Sequence, residues 1–204
     1  MPARSVRRPE SPRRAALFVP LETVRLRLEP IRADHADGMF DGLRDASLYA
    51  FQTDEPPHDV ASLRARYARL ASGHSTDELA YWLNWILVRR DDGATAGYVQ
   101  ATVDKNRASA VIGYLVLPAQ QRRGLGGEAV AAMVRQLFDA GVGRLKAVVD
   151  VRNAASIALV ERLGFTRTRT SRSEDVIDGV RGFDHEYVLR RPRAGAAAVP
   201  NPPV

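Results

Sequence analysis

Cysteine is absent from the 204 residues. Disulfides, thiol nucleophiles and thiolate metal sites are thereby excluded. The four histidines, His35, His58, His74 and His185, stand apart and show no metal-ligand spacing, so no metal is expected. No apolar run approaches the length of a membrane span, and the N-terminus lacks the apolar core of a signal peptide. A Gly-Lys-Ser/Thr sequence is also missing, which excludes a Walker-type nucleotide site. No segment repeats. These absences fit a cytoplasmic protein with no membrane partner.

What is present suits a folded enzyme-sized unit. A hydrophobic content of 45% over this length supports one domain with a sizeable core. The net charge is +6, and most of it sits in residues 1–16, where Arg4, Arg7, Arg8, Arg13 and Arg14 face one acid, Glu10. That Pro/Arg/Ser-rich stretch reads as a disordered, solvated tail rather than a nucleic-acid-binding face. The Ala/Pro-rich residues 192–204 read as a second disordered tail. Residues 17–191 are left as the domain.

Periodicity divides that domain. Residues 21–29 alternate Val24, Leu26 and Leu28 against Thr23, Arg25 and Arg27, a half-buried strand closed by Pro30. Residues 34–44 and 60–72 read as helices, the second with Leu63, Tyr67 and Leu70 on one stripe. Between them, residues 47–59 carry Pro56-Pro57 and read as a loop or broken helix. Residues 79–90 and 94–104 form a hairpin about Asp91-Asp92-Gly93, and residues 108–117 add a third strand. The first of these is apolar on both faces: Tyr81, Leu83, Trp85 and Leu87 on one, Trp82, Asn84, Ile86 and Val88 on the other. That marks it as central. A helix over 125–138, a strand over 145–151 and a helix between Asn153 and Gly164 follow. A last hairpin, 166–176 with 182–190, turns about Asp178-Gly179. The order β-α-α-β-β-β-α-β-α-β-β is mixed α/β with a largely antiparallel sheet.

The stretch with chemical meaning is Gln121-Arg122-Arg123-Gly124-Leu125-Gly126-Gly127. It lies where a buried strand turns into a helix. Such a turn presents unpaired N–H groups at the positive end of a helix dipole. Glycines let an anion approach them, and neighbouring arginines add charge suited to phosphate. The inference is a pyrophosphate-binding turn. Gly124-Leu125-Gly126-Gly127-Glu128-Ala129 also satisfies G-x-G-x-x-A, with Asp150 ending the next strand, which allows a dinucleotide-binding reading. Against it, antiparallel hairpins precede the turn, two arginines press on its first glycine, and too little chain follows for a doubly wound sheet.

Gln-x-x-Gly-x-Gly after a buried strand, then Asn153-x-x-Ser156 and a helix ending Leu163-Gly164-Phe165, resembles the GNAT superfamily of N-acetyltransferases. The opening Thr23-Val24-Arg25-Leu26-Arg27-Leu28-Glu29-Pro30 resembles the branch containing the ribosomal-protein N-acetyltransferases RimJ and RimL. The resemblance spans about residues 21–190 and implies a splayed central sheet with helices on both faces. It implies acetyl-CoA as co-substrate and direct transfer to a primary amine, either a protein N-terminus or a small molecule; without cysteine, no acetyl-cysteine can form.

On this resemblance, pantetheine pairs with the backbone of Tyr114, Leu115 and Val116 where strands part. The pyrophosphate rests on Arg122, Arg123, Gly124, Leu125, Gly126 and Gly127, and Gln121 matches the motif's first residue. Asn153 contacts the pantetheine arm. Ser156 donates a proton to the leaving thiolate, since Val160 stands where many relatives carry a tyrosine. Asp175, or its neighbour Glu174, takes the amine's proton; Asp150 or a bound water are the alternatives. Tyr49, Phe51, Asp54 and Glu55 form the acceptor loop, with the acids holding a cationic amine against an aromatic wall. A GNAT-like module that binds CoA without catalysis is the second reading. A homodimer stays open, and no specific nucleic-acid partner is expected.

Overall fold

A computed structural model describes residues 14–75, 79–105, 108–177 and 179–192. One sheet of eight strands runs in the order β1-β2-β3-β4-β5-β6-β8-β7. Its strands are β1 (Leu21–Glu22), β2 (Leu26–Pro30), β3 (Ala80–Arg89), β4 (Thr95–Asp104), β5 (Ser109–Val116), β6 (Arg144–Asp150), β7 (Thr166–Arg172) and β8 (Phe183–Arg190). The helices are α1 (Arg14–Leu17), α2 (His35–Leu43), α3 (Val60–Ala71), α4 (Leu125–Asp139) and α5 (Ala154–Arg162). Every pairing is antiparallel except β5 with β6. The mixed α/β class and largely antiparallel sheet read from periodicity are what the chain adopts.

The sheet separates two apolar layers. Leu83, Trp85 and Leu87 of β3 join α4 residues such as Val130, Met133 and Leu137 on one side. Ile86 and Val88 of the same strand meet Met39, Leu63 and Tyr67 of α2 and α3 on the other. β3 is therefore central, as its two apolar faces required. At the start of α3, Asp59 accepts from Ser62 N at 2.6 Å, a capping box whose hydrogen bond holds the Asp59 carboxyl down to about 2.

Three boundaries differ from the reading by periodicity. The expected first strand reverses at 23–25 into a hairpin, β1 pairing antiparallel with β2, because Thr23 N and Oγ1 bond the Leu26 carbonyl and Arg25 turns toward α4. Within the basic tail, Arg14–Leu17 forms a helix instead of continuing as coil: Leu17 is fully buried, and Phe18 stacks edge-on against Trp85, whose indole N–H donates to Val19 O. The rest of that tail, 1–13, and most of the C-terminal one, 193–204, lie outside the described residues. β7 ends at Arg172 rather than running to 176; Ser173, which is buried, still donates its N–H to Gly182 O at 2.9 Å, and Ile177 bridges Val180 nearer the turn. Of the turn pair expected there, residue 178 lies outside the described residues, and Gly179 holds φ +75°.

The sheet's weak seam is β5–β6. Only Ser109 with Arg144, Ala110 with Leu145 and Val111 with Lys146 are paired. Beyond Val111 the two strands part, while β5 stays paired with β4 as far as Val116 and β6 with β8 as far as Asp150. The parting leaves the backbone of 113–116 on an open edge. At this level β4 crowds β5: Gly97 has φ +143°, and a Cβ on it would lie 2.1 Å from the Leu115 carbonyl oxygen. Gly97→Ala is expected to cost about 2 kcal/mol or more, lowering the thermal midpoint by several degrees, because neither its backbone angle nor the close approach tolerates a side chain. A thermal melt with an unshifted midpoint would disprove this.

Candidate functional site

Two cavities open on the parted strands, and Leu115 belongs to the wall of both. The larger, about 550 Å³, runs between β5, α4 and α5. The smaller, about 250 Å³, lies between the sheet and α2, α3 and their connecting loop.

The larger cavity collects most of the residues singled out for the donor. Tyr114, Leu115 and Val116 supply the open strand edge, and Gln121, Arg122, Gly124, Leu125, Gly126 and Gly127 supply the turn. Gly124 is the N-cap of α4 with φ +75°, and Arg122 holds φ +60°. A left-handed arginine is a strained position of the kind that clusters at binding sites. The N–H groups of Leu125, Gly126 and Gly127 lack partners within the helix, by its geometry. Gly126 also permits close packing: a Cβ there would meet Val116 Cγ2 at 3.1 Å and Leu159 Cδ1 at 3.4 Å. Gln121 folds back, its Nε2 donating to Val116 O at 3.0 Å, and so ties the turn to the strand edge.

One expected phosphate ligand lies elsewhere. Arg123 lines a separate cavity with Arg25, Arg89 and Arg90, and its Nη1 donates to Gln120 Oε1. The left-handed turn at Arg122 sends consecutive side chains to opposite sides, so Arg122 alone of the pair faces the larger cavity.

Asn153 and Ser156 line the same cavity. Asn153 Oδ1 accepts from Ser156 N at 3.1 Å, so the residue is an N-cap, and its two amide N–H donors stay outside the cap. Ser156 is half-buried. Tyr114 Oη donates to Ser156 O at 3.3 Å, linking β5 to α5 across the gap, and burial raises the phenol's pKa so that it stays protonated. Val160 is fully buried and lines neither cavity. Arg162 went unforeseen. The i, i+4, i+7 spacing of Ala155, Leu159 and Arg162 along one face of α5 is the signal that would have found it.

The loop after α2 divides between the cavities. Phe51 lines the larger, with the Arg152 guanidinium 5.6 Å from its ring centre. Tyr49, Asp54 and Glu55 line the smaller. There Asp54 already pairs with Arg66 at 2.7 Å, and Tyr49 Oη donates to Leu43 O at 2.7 Å. Four partners escaped the sequence reading: Arg66 and Tyr67 of α3, Tyr98 and Gln100 of β4. Asn84, a polar residue in an otherwise apolar strand and paired in register with Gln100, was the available clue. Burial pushes Tyr98 up to about 12 and raises Tyr67 further, so both remain hydrogen-bond donors.

Tyr67 is 4% exposed, and its hydroxyl has no hydrogen-bond partner among the described residues. A buried hydroxyl without a partner is destabilising. Tyr67→Phe is thus expected to leave stability unchanged or raise it by up to about 1 kcal/mol. Denaturant titration showing a clear loss would mean that the hydroxyl is satisfied.

The carboxylates proposed for proton transfer are not gathered with these groups. Asp150 is buried and held by Arg152 through N, Nε and Nη2 at 2.8, 2.9 and 2.7 Å; those bonds lower its pKa and occupy its oxygens. Glu174 and Asp175 are exposed and line neither cavity. They sit past the end of β7, on the segment that continues beyond the Asp150 end of β6, where strand alternation no longer sets their directions. No group of three or more acidic, histidine or cysteine side chains suited to a metal occurs among the described residues, and no described helix is long and apolar enough to cross a membrane.

Comparison with known proteins agrees with this geometry. The "uncharacterized N-acetyltransferase YoaA" of Bacillus subtilis (strain 168) is 27% identical over 183 residues, 87% of this chain and 99% of that protein. Mycobacterium smegmatis RimJ, solved in complex with CoA-disulfide, superposes with a TM-score of 0.75 at 19% identity, covering 89% of this chain and 90% of that one. RimL, described as the ribosomal L7/L12 alpha-N-protein acetyltransferase and solved with coenzyme A, gives 0.76 at 16% identity, over 84% and 98%. These likenesses show a shared fold. The sequence itself matches the Acetyltransferase (GNAT) domain over residues 25–166, from the start of β2 through the glycine turn and α5 to the first residue of β7. With the parted strands, the turn and the Asn-capped helix inside that match, the chain belongs to the GNAT acetyltransferases.

Proposed function

We propose that the protein transfers the acetyl group of acetyl-CoA directly to a primary amine, a protein N-terminus or a small molecule. One observation carries this reading: an open strand edge and a glycine-rich helix start share one cavity, and that cavity meets a second at Leu115. The edge suits a chain of amides, and the helix start suits a pyrophosphate. The residues present fit acetyl-CoA, which supplies a thioester carbonyl open to attack.

The backbone of Tyr114, Leu115 and Val116 holds the pantetheine arm, with the Asn153 amide beside it. The N–H groups of 125–127 and Arg122 hold the pyrophosphate. The acceptor enters from the smaller cavity, past Tyr49, Asp54 and Glu55. Those two acids are balanced there by Arg66 and Arg69. A single amine suits that balance better than a polycation does. Ser156 Oγ donates a proton to the departing sulfur. Asp175, with Glu174 next to it, takes the amine's proton through water, because neither reaches the cavities directly. The acceptor wall keeps its tyrosines protonated, so none of them serves as base near neutral pH.

The buried Val160 favours a second reading, a CoA-binding module without catalysis, because it leaves α5 without a phenol. An amine panel assayed by thiol release from acetyl-CoA separates the two: turnover with any amine supports the enzyme, and none with any supports the module. Calorimetry with CoA and NAD tests the ligand, and preferential NAD binding would overturn both.

A further inference from the structure

The opening Thr23-Val24-Arg25-Leu26 has no part in the chemistry above, although it reaches the glycine turn from a hundred residues away. Where the first strand reverses, Arg25 N is released from the ladder and donates to Glu128 Oε1 at 2.8 Å. Arg25 Nε donates to Glu128 Oε2 at 2.7 Å, and Nη1 donates to Arg123 O at 2.8 Å. Nη2 lies 3.3 Å from where a Cβ on Gly124 would stand. The guanidinium therefore fills the space beneath the turn and grips it at two points. Gln121 grips the same turn from the sheet side.

Two physical needs meet at this position. The turn carries Arg122 and Gly124 in left-handed conformations, at φ +60° and +75°. Such geometry persists only where its surroundings over-determine it. Glu128 is also an acid in the first turn of α4, where its charge would oppose an incoming phosphate. Although burial works to raise its pKa, bonds from Thr23 and Arg25 outweigh that and keep it ionised. Arg25 neutralises that charge without leaving the turn.

We propose that Arg25 is a positioning residue for the donor's pyrophosphate: it props the turn from below and masks Glu128, so that the helix start presents an unopposed positive field. The proposal rests on the turn being the pyrophosphate site.

The test compares the full-length protein with Arg25→Met, Arg25→Lys and the double variant Arg25→Met/Glu128→Gln. CoA affinity is read by calorimetry and folding by circular dichroism. Arg25→Met should weaken CoA on the order of ten- to a hundred-fold, the loss expected when a positioning element shifts by up to about an ångström. Arg25→Lys should restore little, because an ammonium cannot reach Glu128 and the Arg123 carbonyl together. The double variant should regain part of the affinity, since the unmasked acid is gone. In turnover, the ratio of kcat/KM for acetyl-CoA to that for S-acetylpantetheine, which has no pyrophosphate, should fall about tenfold or more. An equal loss with both donors, or an unchanged CoA affinity, would overturn the proposal. If Arg25→Met does not fold, Arg25→Lys carries the same comparison. Wild-type protein that fails to bind CoA would overturn the pyrophosphate reading and this proposal together; wild-type binding with an unaffected variant overturns this proposal alone.

Discussion

Gly126→Asp is expected to weaken CoA binding severely while leaving the protein folded. Gly126 is the second residue of α4, and its N–H has no partner within the helix. An aspartate there is favourable for the helix, because a first-turn acid complements the dipole. Its Cβ would press on Val116 Cγ2 at 3.1 Å, which a small side-chain movement relieves. For a pyrophosphate the same change is severe. A carboxylate occupies the anion's place, and like charges in contact cost several kcal/mol, so affinity should fall by ~10²–10³-fold. Gly126→Ala is the steric control and should lose far less. Calorimetry and circular dichroism on both variants decide the matter. Full CoA affinity in Gly126→Asp would move the pyrophosphate to another site.

Ser156→Ala should lower kcat by ~10²-fold with little change in CoA affinity, the lower end of what proton transfer contributes when water can substitute. A group that helps only the departing sulfur acts in the transition state and hardly in the bound state. The N-cap survives the substitution, because Asn153 Oδ1 bonds the Ser156 backbone N–H and not its hydroxyl. A structural explanation of a lost rate is thereby removed. Single-turnover rates equal to wild type would reduce Ser156 to a wall residue and leave the thiolate to solvent or to Tyr114.

The larger cavity was legible in the sequence because its walls follow local rules. Glycines at 124, 126 and 127, the cap at Asn153 and the apolar strand before them each follow from one stretch of chain. Arg123 misled because neighbouring arginines look alike until the φ of Arg122 assigns them to different sides. The smaller cavity was less legible. Arg66, Tyr67, Tyr98 and Gln100 come from a helix and a strand that only the folded sheet brings together, and each reads as ordinary patterning on its own element. The fold's class followed from periodicity, whereas the reversal at 23–25 did not. Thr23 and Arg25 look like the polar face of a strand, and only the position of Glu128, a hundred residues on, shows that the N–H and guanidinium of Arg25 turn out of the sheet.

The three-rung seam between β5 and β6 bears on how the chain assembles. β3 to β5 form a meander whose neighbours are close in sequence, β2 joins it from beyond α2 and α3, and β6 to β8 pair within a segment of under fifty residues. The meander and the β6–β8 unit can each form from local contacts, which is the fast kind of folding. The parallel seam must wait for α4 to bring its two strands together, and loop closure is paid before so few hydrogen bonds are returned. The feature that opens the sheet for a ligand therefore makes the junction of its halves the late and reversible step of folding, with α4 as the splint that holds them until it is made.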